Sequence, residues 1–449
     1  MLLGLFGVGY VAMSRHVANA GAFYAYVAQG LGRPAGVGTA WVALAAYNLL
    51  QVGLYGVIGA AASPLLHQWS GIVLPWWVIA LVAWAIVGLL GLQQVDINGK
   101  VLAVLLCAEV TVIVVFSLAS LTDPAGGTVT LTTLDPGNLF ADGIGAILVL
   151  GVLGFVGFEA ATVFAEESKH PRRTVPAAMY TAITIIAVLY ALAAWAMSVA
   201  VGPEAIVAAA AQQSTDLIFN LAADHLGGVF ADIGYALFLT SLLAAMIAFH
   251  NITARYGFAL GRERVLPAGF GRTARRSGSP IVASLTQSVI GLAVILTYAA
   301  AGWDPLVQLF FWAGTSGGLG VLLLITTTSV AVITYFTGRP SGQTRWRRTV
   351  APTLATIALL VVVWLALSHF GTLLGVADSH PLRWGVPAGY LTIALLGLSW
   401  GLILRRTRPD LYTGIGRGAK AVTTPGIATP DPDTTTAAPA GYHHQETRQ

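Results

Sequence analysis

The 449-residue chain has few charged side chains and one cysteine, Cys107. Asp, Glu, Lys and Arg make up 9% of the residues, whereas an average soluble domain holds about 25%. Hydrophobic residues reach 56%, and a soluble protein of this composition could not cover its surface with polar groups. A lone cysteine cannot form an internal disulfide. These shortages exclude a soluble enzyme, a disordered chain and a disulfide-built secreted module, and they leave a polytopic membrane protein.

The chain also lacks the motifs of soluble catalysis. It has no P-loop, no GxGxxG beside a strand, no HExxH and no paired CxxC. An ATP-driven pump is therefore not expected, and we predict neither an enzyme nor a bound cofactor.

Long apolar runs predict about eleven transmembrane helices, because about 20 apolar residues are needed to cross the hydrocarbon layer. The runs are too long, and alternate too little, for the strands of a membrane barrel. We therefore predict an all-α polytopic membrane protein. The predicted spans lie near residues 1–14, 36–62, 72–95, 101–121, 143–164, 177–201, 233–254, 281–301, 306–336, 350–370 and 386–404.

The positions of Lys and Arg predict how the chain is oriented. With eleven spans, every Lys and Arg except Arg383 falls in one of the two sets of alternating loops. That set should face the cytoplasm, together with the carboxyl terminus, in a multi-pass protein of the cytoplasmic membrane. The net charge of +4 then reflects topology, so no nucleic-acid partner is predicted.

Outside the spans we make two predictions. The loop 202–232 on the opposite side should hold a short amphipathic helix. Residues 1–408 should form the membrane domain, and residues 409–449 a disordered cytoplasmic tail, because the tail is rich in Thr, Pro, Ala and Gly.

Two acids, Glu109 and Glu159, interrupt otherwise apolar spans. A carboxylate at mid-membrane costs about 2.5–3.5 kcal/mol, so such residues usually face the interior of the bundle or a wet pathway. The alternative is a neutral, hydrogen-bonded core acid. Three glycines, Gly151, Gly154 and Gly157, precede Glu159 and predict a broken helix of the kind that exposes backbone groups to a transported substrate. Close packing of helices through small residues is the competing interpretation.

The segment from Phe155 to Pro176 reads F-V-G-F-E-A-A-T-V-F-A-E-E-S-K-H-P-R-R-T-V-P. It resembles the amino acid–polyamine–organocation family of permeases, with His170 where the family usually has Asn. Two further segments are similar to loops of that family, Asn19–Tyr26 after its second helix and Ala254–Pro267 after its eighth.

The resemblance implies an inverted repeat of five and five helices followed by two more, with helix one missing from this chain. It places substrate between broken helices one and six, beside helices three and eight. Carried onto this sequence, it implies substrate-binding and coupling or gating residues. Substrate would contact Gly154, Phe155, Gly157, Phe158, Tyr47 and Asn48, whereas Glu159, Glu109, Thr240 and Ser241 would couple or gate.

The function implied is a secondary transporter that moves amino acids by alternating access. Proton coupling through Glu109 is favoured over sodium, for which Thr240 and Ser241 offer hydroxyl ligands. One alternative is an amine or polyamine carrier that uses Glu159 as its carboxylate, and another is a nutrient receptor that binds without transport. A membrane-embedded enzyme would need a second acid, His or metal cluster at the depth of Glu159, and the sequence offers none.

The beginning of the chain also carries an expectation. Met1–Met13 would form about 20 Å of helix, short of roughly 30 Å of hydrocarbon. Four helices cannot complete an inverted repeat with five. We expect a reading frame that starts about 30 to 60 residues upstream, enough for one further span and a leader. Residues 1–449 alone should leave an open groove beside 143–164 and should not transport.

Overall fold

The computed structural model describes residues 1–418 except residue 18 and residues 93–94, 141–143, 164–167, 275–276 and 338–341. Within these described residues every regular element is helical, and no strand occurs. The predicted all-α fold is therefore confirmed. In chain order the α-helices are α1 (Leu2–Ser14), α2 (Ala22–Gly30), α3 (Arg33–Ser70), α4 (Trp76–Gly91), α5 (Val95–Ser120), α6 (Ile144–Leu153), α7 (Pro171–Val201), α8 (Ile206–Gln213), α9 (Leu217–Leu226), α10 (Gly228–Arg262), α11 (Ile281–Ala301), α12 (Trp312–Thr337), α13 (Ala351–Ser368), α14 (Phe370–Leu374), α15 (Leu382–Thr407) and α16 (Pro409–Gly414).

The predicted spans correspond to helices of the structure. In the described part of the chain, eight helices are long and apolar enough to cross a membrane, and three shorter apolar helices of 10–17 residues accompany them. Each falls at one of the predicted positions, so the polytopic architecture is confirmed. The inverted repeat stays a prediction, as does the sidedness of the loops.

The long helix α3 lies at the centre of the bundle, in contact with α2, α4, α10, α12 and α15. Its crossing with α15 depends on two glycines. A Cβ on Gly397 would lie 2.8 Å from the Cα of Gly38, and a Cβ on Gly38 would lie 2.8 Å from the Ala394 carbonyl oxygen. Small residues therefore let the two backbones touch, as is typical of helix pairs in membranes.

Two segments predicted as loops are helical instead. Residues 22–26 of the first segment, Asn19–Tyr26, belong to α2, because their aromatic side chains pack in the core: Phe23, Tyr24 and Tyr26 are at most 1% exposed. A Cβ at the end of this helix, on Gly30, would lie 2.2 Å from the Ala331 carbonyl oxygen, so α2 sits tightly against α12. The second segment is helical up to Arg262. The helix α10 continues beyond residue 254, where the apolar run ends and where we predicted the end of the span.

The loop 202–232 holds two short helices, α8 and α9, which confirms the prediction of a helix there. The apolar face of α9 is buried through Leu217, Phe219 and Leu221. Phe219 stacks on Tyr235 of α10 with ring centroids 4.0 Å apart. This loop therefore packs on the bundle.

The predicted boundary of a disordered tail at residue 408 is too early. Residues 409–414 form α16, and Ile415 behind it is 1% exposed. The backbone N–H groups of Gly416 and Gly418 donate to the Glu263 carboxylate at 2.5 and 2.8 Å. A buried acceptor thus orders the first ten residues of the segment, despite their low apolar content. Residues 419–449 lie outside the described residues.

Candidate functional site

A break interrupts the helix that carries Glu159. The α-helix α6 ends at Leu153, a turn covers residues 154–157, and a 3₁₀ helix runs over Phe158–Thr162. Hydrogen bonds in the turn close over three residues, with Val156 N donating to Leu153 O at 3.1 Å. Gly157 has a φ of +111°, which L side chains rarely adopt. The predicted broken helix is therefore present, at the predicted glycines.

Glu159 is held at this break by two hydrogen-bond donors. The Tyr47 hydroxyl of α3 donates to its Oε1 at 2.8 Å. The backbone N–H of Gly157 donates to its Oε2 at 2.9 Å. The side chain is 1% exposed, and both of its carboxyl oxygens have donors. Glu159 therefore ties the turn to α3, and it is not a carboxylate open to solvent.

Aromatic rings surround the Glu159 carboxyl and its helix. Tyr47 lies 5.6 Å from Tyr256 of α10, centroid to centroid, and Phe158 meets Phe6 of α1 edge-on at 6.1 Å. The Tyr10 hydroxyl hydrogen-bonds to the Thr162 hydroxyl at 2.6 Å. These contacts join α1, α3 and α10 around the 3₁₀ helix. A movement of the break would therefore displace side chains of all three helices.

On its other side the break contacts α7. The Tyr190 hydroxyl donates to the Gly154 carbonyl at 2.9 Å, and its ring meets Phe155 edge-on at 5.9 Å. Phe155 is partly exposed, whereas Phe158 is 3% exposed. None of the described residues lies within 4 Å of where a Cβ on Gly157 would be. Open space therefore borders the turn beside Gly157.

Asn48 stands apart from this cluster in its hydrogen bonding. Its Nδ2 donates to the Leu44 carbonyl of its own helix at 2.7 Å. Its Oδ1 is buried with no partner. Among the predicted substrate-binding residues, Asn48 thus has a side-chain oxygen that could accept a hydrogen bond from a substrate.

Glu109, Thr240 and Ser241 form a second group, and Glu109 and Ser241 line a cavity of about 260 Å³ between α5, α9 and α10. The hydroxyls of Ser241 and Thr240 lie within hydrogen-bonding reach of the Glu109 carboxyl. The Thr240 hydroxyl also donates to the Leu237 carbonyl at 2.8 Å, so the Ser241 hydroxyl is the freer donor. Glu109 Oε1 is buried and has no hydrogen-bond partner among the residues that the structure describes. The cavity is otherwise mostly apolar.

The Glu109 and Glu159 carboxyl groups lie near different parts of α10. Ser241 faces Glu109, whereas Phe249 and Tyr256 pack near Tyr47. Ser241 and Phe249 are eight positions apart, about 12 Å along a helix. Of the predicted site residues, the structure thus brings Tyr47 to Glu159, and Thr240 and Ser241 to Glu109. It does not join these into one site.

Sequence reasoning missed Tyr10, Thr162 and Tyr256. The position of Thr162, three residues after Glu159, was a usable signal, because that spacing places both on one side of a helical turn. Tyr10 and Tyr256 carry no local signal. In the described part of the chain, no three His, Cys, Asp or Glu side chains come close enough to hold a metal ion.

Comparisons with known proteins add three relatives and a family. The sequence pattern of the family described as amino acid permease matches residues 3–404. The chain is 23% identical over 299 residues to "Cationic amino acid transporter 7, chloroplastic" of Arabidopsis thaliana, covering 59% of this chain and 48% of the relative. It is 26% identical over 269 residues to the lysine-specific permease LysP of Lactococcus lactis, covering 56% and 52%. It is 26% identical over 297 residues to the uncharacterized amino acid permease YecA of Bacillus subtilis, covering 65% and 66%. The chain thus spans about half the length of the first two relatives.

Proposed function

The chain belongs to the amino acid permease family, and from this premise we propose that it is a secondary transporter that moves an amino acid across the cytoplasmic membrane by alternating access. The observation that supports this most directly is the broken helix at residues 154–157, with open space beside Gly157 and the buried Glu159 tied to it. Broken helices at mid-membrane offer backbone groups to small polar substrates, which a continuous helix cannot do.

In this proposal, substrate lies against the turn at Gly154–Gly157, and Phe155 is the gate. Phe155 suits a gate better than Phe158, because it is partly exposed and its ring meets Tyr190 edge-on. Phe158 is buried against Phe6. Glu159 and Tyr47 transmit the position of the turn to α3 through their hydrogen bond.

We further propose that Glu109 couples transport to a proton. Its unpartnered Oε1 can take up a proton without displacing an existing hydrogen bond, and the neighbouring hydroxyls can reorient to either charge state. Sodium is the second candidate for the coupling ion, because the same carboxyl and hydroxyl oxygens could serve as its ligands. In either case α10, which bears Ser241 and Tyr256, is the path between the two groups.

An amine or polyamine carrier is the second candidate function. It would need a carboxylate free to meet the cationic substrate. Glu159 is a poor choice, because Tyr47 and Gly157 already occupy both oxygens. Glu109 retains a free oxygen in an apolar cavity, which is the observation that keeps this candidate open.

Uptake of labelled amino acids and amines into proteoliposomes that hold the native gene product tests these proposals. Substrates are first selected by thermal shift, since a ligand that binds only the folded state raises its stability by RT ln(1 + [L]/Kd). Accumulation driven by an imposed pH gradient, and independent of sodium, is the expected result. Binding without uptake would identify a receptor, and accumulation of amines alone would identify an amine carrier.

A further inference from the structure

A cavity of about 280 Å³ lies where α1, α7 and the segment before α13 meet, and neither Glu109 nor Glu159 lines it. Apolar, aromatic and polar side chains line it, among them Val11, Arg15, Tyr180, Trp346 and Arg347.

The electrostatics of this cavity favour an anion. Two arginines line it, and among its described lining residues there is no carboxylate. Arg15 Nε is buried, and within the described part of the chain it has no hydrogen-bond partner. Burial lowers the pKa of the adjacent His16, and the positive charges of Arg172 and Arg15 lower it further. Positive charge is therefore concentrated here, with at least one N–H donor unused.

The cavity lies at one end of the bundle. Helix α1 ends at Ser14, α7 begins at Pro171, and a π-helical turn that leads into α13 begins at Trp346. The bias of Lys and Arg assigns this end to the cytoplasm. Trp346 and Tyr180 are 49% and 37% exposed, as is common for aromatic side chains at the headgroup level.

An exposed apolar strip rises from this cavity along α13. Val350, Leu354, Ile357 and Val361 recur on successive turns, and each is between 42 and 57% exposed. Residues spaced by three and four positions share one face of a helix. The strip therefore offers a hydrophobic track that begins beside Arg347.

We propose that this cavity binds the phosphate headgroup of an anionic phospholipid, with Arg15 and Arg347 as the cationic ligands. Basic pockets between membrane helices on the cytoplasmic side bind anionic headgroups in this way. The acyl chains lie along Val350–Val361, which distinguishes a lipid from a free phosphate ion. The lipid joins α1, α7 and α13 at this end of the bundle.

Native mass spectrometry of the full chain, released from detergent with equal amounts of phosphatidylglycerol and phosphatidylcholine, tests this proposal. We expect one phosphatidylglycerol to remain bound in preference to phosphatidylcholine. The double variant Arg15→Gln/Arg347→Gln should bind it more weakly, on the order of fivefold for each arginine removed, from the attraction of one interfacial charge. Arg405→Gln/Arg406→Gln is the matched control, because it removes the same charge from another concave surface and should leave binding unchanged.

Three results would overturn the proposal. These are equal retention of both lipids, equal loss of phosphatidylglycerol in the control and the double variant, and displacement of the lipid by inorganic phosphate at millimolar concentration. The last result would identify a site for free anions. If the double variant elutes as an aggregate, the single variant Arg347→Glu decides instead, since Arg347 is exposed and its change leaves the core intact.

Discussion

The Tyr47 hydroxyl donates to Oε1 of Glu159 across 112 positions of sequence, at 2.8 Å. This bond connects the central helix α3 to the 3₁₀ helix that follows the break. Both side chains are at most 1% exposed, so neither group can exchange its partner for bulk water without local opening. The hydrogen bond therefore fixes the 3₁₀ helix relative to α3 in this conformation.

We predict that Tyr47→Phe destabilises the protein and slows uptake. The variant leaves a buried carboxyl oxygen without its donor, which costs about 1–3 kcal/mol. The melting temperature in detergent and the rate of proteoliposome uptake are the measurements. Tyr298→Phe is the control, because it removes a partly buried hydroxyl that donates at 3.3 Å to the Gln308 carbonyl in another part of the bundle. Equal effects of the two variants would contradict a special role for the Tyr47–Glu159 hydrogen bond.

The turn itself gives a second prediction, about two glycines. Gly157→Ala forces a side chain into a φ of +111°, at a cost of about 1–3 kcal/mol. Gly151→Ala should be neutral or mildly stabilising, because Gly151 lies in α6 with nothing within 4 Å of its would-be Cβ, and Ala favours helix. Melting temperatures of both variants measure this. If the Gly157→Ala protein is as stable as the Gly151→Ala protein, the backbone conformation at residue 157 does not require glycine.

Much of the fold follows from the sequence, because long apolar runs report on transmembrane helices directly. The break was also predictable, since three glycines and an acid conflict with a continuous apolar helix. Tyr47 and Gly157 were among the predicted site residues, but their hydrogen bonds to Glu159 were not predictable. The contacts that α1 makes beside them were not predictable either. Tyr10 meets Thr162 over 152 positions, and such a contact is set by how α1 packs in the bundle. The nine-residue α2 was missed because it is too short for an apolar run to reveal.

Glu109 gives a prediction about pH. If Glu109 carries the coupling proton, Glu109→Gln should remove the pH dependence of uptake, because a permanently neutral side chain cannot titrate, while substrate binding by thermal shift survives. Ser241→Ala is the companion variant, and it should shift the pH profile without abolishing it, since it removes a hydroxyl within reach of the carboxyl. A wild-type pH profile in Glu109→Gln would mean that this acid is structural. Uptake that requires sodium at constant pH would favour sodium coupling.

The last prediction concerns Glu263 and the carboxyl-terminal segment. Four donors converge on its carboxylate: Asn19 Nδ2 and Gly418 N on Oε1, and the Tyr24 hydroxyl and Gly416 N on Oε2. An amide in its place would turn an NH₂ group toward two of these donors and leave them without an acceptor. We therefore expect Glu263→Gln to release the segment that begins at α16.

Trypsin can measure this release, because Arg417 lies between the two anchored glycines. Burial raises the pKa of Glu263, and its four donors oppose that rise. The wild type and both variants are therefore digested at the same pH. We expect cleavage after Arg417 to be faster in Glu263→Gln than in the wild type, with a loss of stability of about 1–3 kcal/mol. Asp410→Asn removes the same charge from an exposed position in α16 and should cleave at the wild-type rate. If wild type and Glu263→Gln are cut equally fast, the segment is not held by this carboxylate.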